Sequence, residues 1–344
     1  MFDIDIKEDV IAAILVEQNK KLIIDKIDLP KHLKVGQILV KVHVSGICGS
    51  QLGEINGVKG PDKFLPHLMG HEGCGTILAT GPGVENLEPN DLVVLHWRKG
   101  SGINSEPPIY SWNGKRLNAG WVTTFNSHAV ISENRCTKIP QDTDYKVASL
   151  MGCAVTTGFG VVENNANLKM GESVCIYGAG GIGLNIIQAS RLVSAYPIIA
   201  VDIVQKRLDL AKLLGATHTI NVNNEDFNSS IERILEDGIL KVFIDNTGLP
   251  SVIEKGYELV SPNDGRLVLV GVPQKGQSIN IFSLPLHFGK TIIGSHGGES
   301  NPSKDISRYL NLERKKIINF ESLVGKIYRL NEINNAIEDM RKGS

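Results

Sequence analysis

The pattern of hydrophobic and polar residues changes along the chain. From residue 10 to about residue 140 it consists of short apolar runs punctuated by glycine and proline, such as VIAAILVE, QILVKVHVSG, GCGTILATG, DLVVLH and HAVIS. Short β-like runs between turn signals are typical of an irregular, mostly antiparallel barrel or sandwich. The first part of the chain is therefore predicted to be a β-rich domain.

From Ser173 onward, apolar strands alternate with amphipathic helices. The predicted strands are SVCIYGAG, PIIAVD, HTINV, KVFIDNTG and RLVLVG, and the helices between them are GLNIIQASRLV, QKRLDLAKLLG, NSSIERILED and SVIEKGYELV. This alternation predicts an α/β domain built on a doubly wound parallel sheet. After Gly294, helices near KDISRYLNLERKK and NEINNAIEDMRKG form a third segment that is expected to return to the first domain.

Composition narrows the class of protein. A chain of 344 residues with 42% hydrophobic and 21% charged residues is long enough for two globular domains. A net charge of −1 gives no general attraction to nucleic acid or to an anionic membrane. We find no apolar run of the roughly 20 residues that a membrane span needs and no signal-peptide pattern, so a soluble, cytoplasmic protein is expected. The five scattered cysteines do not resemble a disulfide framework.

The motif GAGGIG, residues 178–183, follows a predicted strand and opens a predicted helix. In that context Gly178 permits a tight turn, Gly180 lets the backbone approach a pyrophosphate, and Gly183 permits close helix–strand packing. Gly181 belongs to the same loop, where free N–H groups at the helix N-terminus attract phosphate. The loop predicts dinucleotide binding; the alternative is a glycine-rich turn that binds nothing.

Asp202 stands nineteen residues beyond Gly183, at the end of the next predicted strand. Its carboxylate can accept hydrogen bonds from the adenosine ribose and would repel a 2′-phosphate, which favours NAD over NADP. Arg207 is a second candidate cofactor contact, and its guanidinium would instead favour the extra phosphate. We give the acid the greater weight.

Four potential metal ligands lie in glycine-flanked turns: Cys48 in GICGS, His71 and Glu72 in GHEGCG, and Cys153 in GCAVTTGFG. Two thiolates and an imidazole with an open fourth position suit a catalytic zinc, and Glu72 could complete or exchange that position. Their spacing alone is weak support, and buried structural thiols are the alternative.

In their order along the chain, GICGS, GHEGCGTILATGPGVENLEPNDLVV, GCAVTTGFG, VCIYGAGGIG and VD resemble the zinc-dependent medium-chain alcohol dehydrogenases. The resemblance covers nearly the whole chain. It implies a GroES-like catalytic domain of residues 1–154 and 296–344, an inserted Rossmann domain of residues 155–295, and a homodimer or homotetramer. The implied reaction is reversible hydride transfer between NAD and a primary, secondary or polyol-type alcohol, with a carbonyl compound as the other reactant.

The resemblance also implies roles for single residues. Cys48, His71 and Cys153 match the catalytic zinc ligands, Glu72 a transient ligand, and Ser50 the hydroxyl that relays the alcohol proton. Thr157 and Val272 match cofactor contacts, and His96, Trp97 and His296 match the substrate pocket. A satisfied core histidine or a packed aromatic is the alternative for each of these last three.

Three features depart from the family pattern. Gln51 replaces an acid that steadies the ligand histidine, although its amide oxygen could still accept that hydrogen bond. Gly53 replaces a histidine that often ends the proton relay, so the proton is expected to leave through water or a nearby residue such as His67. The sequence ends at MRKGS, before the usual final strand and the cofactor-binding arginine in it.

The segment HWRKGSGIN, residues 96–104, begins a lobe that carries four zinc-binding cysteines in many relatives. Here residues 96–120 contain no cysteine, so we predict one catalytic zinc per chain and no structural zinc. Tyr110 and Trp112 are expected to supply packing in its place. Arg98 could clamp a substrate anion or simply lie in a solvated turn. Cys74, Cys136 and Cys175 are expected in the core.

Two other functions are weighed against the dehydrogenase. A zinc-free reductase of the quinone or enoyl type would share the fold but lack the cysteine and histidine ligands. A non-catalytic NAD-binding protein would not need them either. The small-molecule alcohol or carbonyl substrate is therefore the expected partner.

Overall fold

The computed structural model describes residues 2–4, 6–236 and 238–343. The chain forms two compact units, here called unit 1 (residues 1–153 and 301–344) and unit 2 (residues 154–300). Each unit is described by itself.

The strands lie mostly in the regions where short apolar runs predict them. In chain order they are β1 Phe2–Asp3, β2 Val10–Leu15, β3 Ile23–Ile27, β4 His32–Leu33, β5 Gln37–Ser45, β6 His67–Leu68, β7 Glu72–Thr80, β8 Leu92–His96, β9 Tyr110–Trp112, β10 Lys115–Leu117, β11 His128–Ser132, β12 Cys136–Lys138, β13 Val174–Tyr177, β14 Ile198–Asp202, β15 His218–Asn221, β16 Val242–Asp245, β17 Arg266–Leu269 and β18 Thr291–Gly294.

The α-helices are α1 Gly49–Ile55, α2 Tyr145–Leu150, α3 Thr156–Gly160, α4 Gly181–Leu192, α5 Gln205–Leu214, α6 Phe227–Leu235, α7 Pro250–Leu259, α8 Pro302–Arg314 and α9 Ile333–Arg341. Two π-helical turns, Met151–Val155 and Val161–Asn165, flank α3. Short 3₁₀ turns occupy Glu133–Arg135, Leu284–Phe288, Gly297–Glu299, Glu321–Leu323 and Leu330–Glu332.

Unit 1 is the predicted β-rich domain. Its largest sheet is antiparallel, with strand order β11-β5-β7-β8-β12, and a three-stranded sheet has the order β3-β2-β6. Much of the large sheet lies inside the unit; Val93 and Leu95, for example, are fully buried. The segment from residue 301 belongs to this unit, since Asn334 hydrogen-bonds both backbone groups of Leu22 at 2.9 Å.

Unit 2 is a six-stranded parallel sheet with the order β15-β14-β13-β16-β17-β18. Its strands β13, β14 and β16 are almost entirely buried, as expected for a parallel sheet covered on both faces. This order is that of a doubly wound dinucleotide-binding sheet, with the chain crossing over between β13 and β16. The predicted fold class is therefore confirmed.

One sequence expectation about apolar runs was wrong. The helical stretch Tyr145–Asn165 has 21 residues and is long and apolar enough to cross a membrane by length and composition. However, 78% of its most apolar window is buried inside the protein, as in the core helix of a globular protein. The apolar character of this stretch is thus accounted for by packing.

Candidate active site

Four side chains from distant parts of the chain converge in unit 1. The potential ligand atoms of Cys48, His71, Glu72 and Cys153 all lie within 4.8 Å of one another. Cys48 stands immediately before α1, and His71 immediately before β7. Glu72 is the first residue of β7, and Cys153 lies in the π-helical turn after α2. The structure thus brings together the four residues that the sequence predicts as ligands.

Glycines beside these residues permit the convergence. A Cβ on Gly152 would lie 2.2 Å from the carbonyl oxygen of Leu95 and 2.9 Å from Cα of Glu72. A Cβ on Gly46 would lie 2.8 Å from the carboxyl carbon of Glu72. Any larger residue at these two positions would push the segments apart, which gives the glycines of GICGS and GCAVTTGFG a physical reason.

The donor set fits a zinc ion. The two sulfur atoms of Cys48 and Cys153 are 4.0 Å apart, close to the edge of about 3.8 Å that a tetrahedron with Zn–S bonds of about 2.3 Å would have. His71 Nε2 is buried and has no hydrogen-bond partner, a costly state for a polar atom unless something binds it. A cation held by these donors would remove that cost.

The pKa values of the two thiols are shifted in opposite directions. A hydrogen bond from Cys153, the neighbouring His71 ring and a hydrogen bond from Ser50 hold the pKa of Cys48 well below its usual range in spite of burial. The neighbouring Cys48 sulfur and burial raise the pKa of Cys153. Burial alone would lower the pKa of His71, but the Cys48 sulfur and the Glu72 carboxylate raise it overall. Cys48 is therefore the first thiolate of the cluster.

Two further side chains contact the sulfur atoms. The exposed Ser50 hydroxyl hydrogen-bonds to the sulfur of Cys48, which places it where the sequence expects a proton relay. Trp97, half-buried, hydrogen-bonds to the sulfur of Cys153. The sequence predicts Trp97 as pocket wall only; the contact with a ligand sulfur depends on side-chain direction, which the pattern does not reveal.

Gln51, which stands where the family has an acid, hydrogen-bonds to the backbone of Cys48. Its Oε1 accepts the backbone N–H of Cys48 at 2.8 Å, and its buried Nε2 has no partner. The amide oxygen thus caps α1, and the hydrogen bond from His71 to this amide stays a prediction. His67 is also occupied: its Nδ1 donates to Leu68 O at 2.9 Å and its Nε2 lies 2.8 Å from Asp62 Oδ2.

His96 was wrongly expected in the substrate pocket. It is fully buried, with Nδ1 2.8 Å from the Arg98 carbonyl oxygen and Nε2 2.9 Å from the Thr137 hydroxyl. Burial lowers the pKa of His96 to about 4, so it is neutral near pH 7. His96 is a satisfied core histidine, which is the alternative that the sequence also allows.

The glycine loop of unit 2 has the geometry that phosphate binding requires. Gly178 has φ +98°, a backbone conformation that favours glycine, and a Cβ on Gly183 would lie only 2.0 Å from Gly178 O. A Cβ on Gly180 would meet nothing within 4 Å, so open space lies where a pyrophosphate would approach. Gly181 begins α4, whose first turn contains no acidic residue. The residues present fit a dinucleotide.

Asp202 links this loop to the second strand. Its Oδ2 accepts the N–H of Ala179 at 2.8 Å, and its Oδ1 accepts the N–H of Val204 at 2.9 Å. Arg207 Nη1 lies 3.8 Å from the same Oδ2. A carboxylate has about four lone-pair positions, so Asp202 keeps capacity for a ribose hydroxyl.

The other predicted cofactor and pocket residues also lie in unit 2. Thr157 is buried in α3, and Val272 is exposed beside Gly248. His296 is exposed, and its backbone N–H donates to Glu299 at 3.0 Å. His296 therefore belongs to unit 2, whereas the sequence places it at the start of the returning segment 296–344.

The segment without cysteines is held by packing. Tyr110 and Leu117 are buried in one cluster with Val130, and the Tyr110 hydroxyl accepts the Val130 N–H at 2.7 Å. Trp112 packs against this cluster and donates to Asp25 at 2.8 Å. The expected packing role of Tyr110 and Trp112 is confirmed. Cys74, Cys136 and Cys175 are buried, as expected, and burial raises the pKa of all three.

Comparison with known proteins agrees with this geometry. Residues 34–141 match the family model described as alcohol dehydrogenase GroES-like domain, and residues 181–313 match that described as zinc-binding dehydrogenase. S-(hydroxymethyl)glutathione dehydrogenase of Escherichia coli O157:H7 is 31% identical over 361 aligned residues, which cover 96% of each chain.

Solved structures extend the agreement to three dimensions. Benzyl alcohol dehydrogenase from Acinetobacter calcoaceticus has a TM-score of 0.87 at 30% identity, covering 98% of this chain and 97% of that one. An alcohol dehydrogenase zinc-binding domain protein from Burkholderia ambifaria has a TM-score of 0.88 at 29% identity, covering 98% and 96%. The chain belongs to the zinc-type medium-chain alcohol dehydrogenases, oxidoreductases that interconvert alcohols and carbonyl compounds.

Proposed function

We propose that this protein is an NAD-dependent alcohol dehydrogenase with one catalytic zinc ion per chain. The observation that carries the proposal is the four-donor cluster of unit 1, in which a buried imidazole nitrogen has no hydrogen-bond partner. A zinc-free reductase or a non-catalytic binding protein would have no use for two thiols and an imidazole held within 4.8 Å.

Zinc would be held by Cys48, His71 and Cys153, with Glu72 as a fourth ligand that the substrate oxygen can replace, and would polarise that oxygen when bound. The Ser50 hydroxyl, beside Cys48, would take the alcohol proton as hydride passes to the cofactor. Ser50 is exposed, so the proton can pass from it to water without a histidine at position 53. Trp97 would stabilise the thiolate of Cys153 through its indole N–H.

NAD is the proposed dinucleotide. The open space at Gly180 and the free N–H groups at the start of α4 suit the pyrophosphate. The carboxylate of Asp202 would accept the ribose hydroxyls and repel a 2′-phosphate. Arg207 lies 3.8 Å from Asp202, so part of its charge is already balanced. This pairing supports NAD over NADP.

The donors that unit 1 offers support the proposal of a single zinc ion per chain. Residues 96–120 contain no cysteine, and Tyr110 and Trp112 pack the lobe instead. A second group of donors, Glu54, Asp62 and His67, lies within 4.8 Å but contains no thiol. Within that group His67 already hydrogen-bonds Asp62.

The partners and the location of the protein are proposed from its charge, its cysteines and its exposed apolar residues. The substrate is a small alcohol or carbonyl compound, and a net charge of −1 gives no reason to propose nucleic acid or membrane as a partner. Five free cysteines suit the reducing cytoplasm. A homodimer or homotetramer is proposed because Phe282 and Phe288 of unit 2 are 71% and 64% exposed.

Metal analysis of protein purified without added zinc tests the proposal. We expect about one zinc ion per chain, and we expect Cys48→Ser to lose both the metal and NAD-linked alcohol oxidation. Cys136→Ala is the matched control, because Cys136 is a buried thiol of the same unit outside the cluster. A metal-free wild-type protein with full activity would refute the proposal, as would equal zinc loss in both variants.

A further inference from the structure

Two nitrogen atoms of the Arg135 guanidinium are buried and have no partner in the described part of the chain. Arg135 ends the 3₁₀ turn Glu133–Arg135 and is only 5% exposed. Its Nε and Nη1 atoms are buried and have no hydrogen-bond partner, and no carboxylate pairs with it among the residues that the structure describes. A charge buried in this way is unfavourable unless an opposite charge joins it.

A second cation lies beside it. The N–H of Gly100 donates to Asn134 O at 2.8 Å, so the segment that follows Arg98 lies alongside the turn that carries Arg135. The carbon Cζ of Arg135 lies 5.6 Å from the ring centroid of Trp121, and Cζ of Arg98 lies 5.9 Å from that of Trp97. Each guanidinium therefore rests against a tryptophan, an arrangement that holds its planar fork in one orientation.

The neighbouring titratable groups that the structure describes do not compensate the charge of Arg135. Burial and the charge of Arg98 both lower the pKa of Arg135, as expected for a cation with no carboxylate beside it among the described residues. His96, beside the pair, is neutral because its pKa is about 4. The carboxylate of Glu133 accepts the backbone N–H of Ile103 at 2.7 Å and forms no ion pair with Arg135.

We infer that Arg135 and Arg98 form an oxyanion-binding site for a carboxylate or phosphate group. Guanidinium groups bind such groups through charge-assisted, often bidentate hydrogen bonds. The anion could belong to the substrate, because Trp97 contacts both Arg98 and the Cys153 sulfur of the metal cluster. It could also be free in solution. Only the first possibility, an anionic group on the substrate, rests on the proposed function.

Binding of inorganic phosphate by the full chain tests the site. The thermal midpoint is measured while sodium phosphate is raised at constant ionic strength with sodium chloride. We expect saturable stabilisation of the wild type, and at least tenfold weaker phosphate binding in Arg135→Gln and in Arg98→Gln, about the value of one charge-assisted hydrogen bond. Arg116→Gln is the control, because Arg116 is an exposed arginine of the same unit that donates to Asn118 at 2.9 Å. It should stay within twofold of the wild type.

A second measurement identifies the source of the anion. The ratio of kcat/KM for an ω-hydroxycarboxylate to that for the neutral alcohol of equal length is compared between Arg135→Gln and Arg116→Gln. A tenfold fall of this ratio in Arg135→Gln assigns the anion to the substrate. An unchanged ratio with weakened phosphate binding assigns it to a free anion.

The inference is overturned if Arg135→Gln and Arg98→Gln bind phosphate as Arg116→Gln does and the ratio is unchanged. If Arg135→Gln does not fold, Arg135→Lys and Arg98→Gln decide, since Lys keeps the charge and removes the planar fork. An inactive wild-type enzyme would refute the proposed function. The phosphate measurement would still decide whether Arg135 and Arg98 form an anion site.

Discussion

Hydrogen bonding determines which ring nitrogen of His96 carries the proton. A carbonyl oxygen can only accept, so the nitrogen facing Arg98 O carries the ring proton, and the other nitrogen accepts from the Thr137 hydroxyl. The neutral ring is thereby fully satisfied at zero exposure. Protonation would add a charge beside Arg135 in a buried position, and this is why the pKa falls to about 4.

This difference makes the stability of the protein depend on pH. The pKa of His96 is about 4 when folded and near 6.5 when unfolded, so between these values the unfolded state binds the extra proton. The free energy of unfolding should therefore fall as pH drops from 6.5 to 4, by about 3 kcal/mol from this residue. Urea titrations followed by tryptophan fluorescence report on unit 1, which contains all three tryptophans.

The matched variants are His96→Gln and His32→Gln, the latter at an exposed histidine. His96→Gln should be less stable at pH 7.5 and should lose less stability on acidification than the wild type. His32→Gln should follow the wild type. Parallel pH profiles for the wild type and His96→Gln would show that His96 does not titrate in this range.

At this scale the sequence identifies ligand types better than side-chain directions. Cys48, His71, Glu72 and Cys153 are marked by their glycine-flanked motifs, and the structure brings them together. His96 lies beside Trp97 in the sequence, yet one is a buried core residue and the other contacts Cys153. The directions of these two side chains depend on the residue at which β8 ends, and an apolar run does not specify that residue.

Among the elements, the turn from β13 into α4 places the strictest demand on residue type. Gly183 and Gly180 lie three residues apart, but a Cβ at the first would be 2.0 Å from Gly178 O, whereas a Cβ at the second would meet open space. The first glycine therefore serves packing, and the second keeps room for a ligand.

Two alanine variants separate these roles. Gly183→Ala should destabilise the protein by about 1–3 kcal/mol through overpacking, although alanine is the better helix former. Gly180→Ala should change stability by less than about 0.5 kcal/mol while weakening NADH binding at least tenfold. Unfolding followed by circular dichroism and a fluorescence titration with NADH measure the two effects. Equal effects of the two substitutions on both quantities would contradict this division.

Elements with long apolar periods are predicted well, and short ones are not. The predicted strands of unit 2 and its helices all form, because each buries a full apolar face. Among the elements that the sequence misses are α1, the β9–β10 hairpin and β18. They have only three to seven residues per element, and their formation depends on tertiary contacts, such as the bond from Gln51 that caps α1.

For the whole molecule, the order of motifs carries more information than any single motif. The spacing of Cys48, His71 and Cys153 alone does not distinguish a zinc site from buried thiols. The same residues, followed by the glycine loop and Asp202, specify a family and its two-unit layout. The environment of Arg135 could not be predicted in this way, because it depends on which acidic groups fold beside it.

Unit 2 has an edge that suggests how two chains associate. Strand β18 is the outermost strand of the sheet, and the segment before it exposes Phe282 by 71% and Phe288 by 64%. A second copy related by twofold symmetry would bury both phenylalanines and pair the open strand. We therefore expect the protein in solution to have at least twice the chain mass of 37.4 kDa.

Charged substitutions test this arrangement by sedimentation velocity. Phe288→Glu would bury a carboxylate in the proposed contact and should shift the protein to monomer, or halve the mass of a tetramer. Met170→Glu is the control, because Met170 is an 81% exposed apolar residue of the same unit outside this segment, and it should leave the mass unchanged. A wild-type monomer at micromolar concentration, or an unaltered oligomer in Phe288→Glu, would rule out association through this edge. If the oligomer is unaltered and the activity is normal, the chains associate through another face of the molecule.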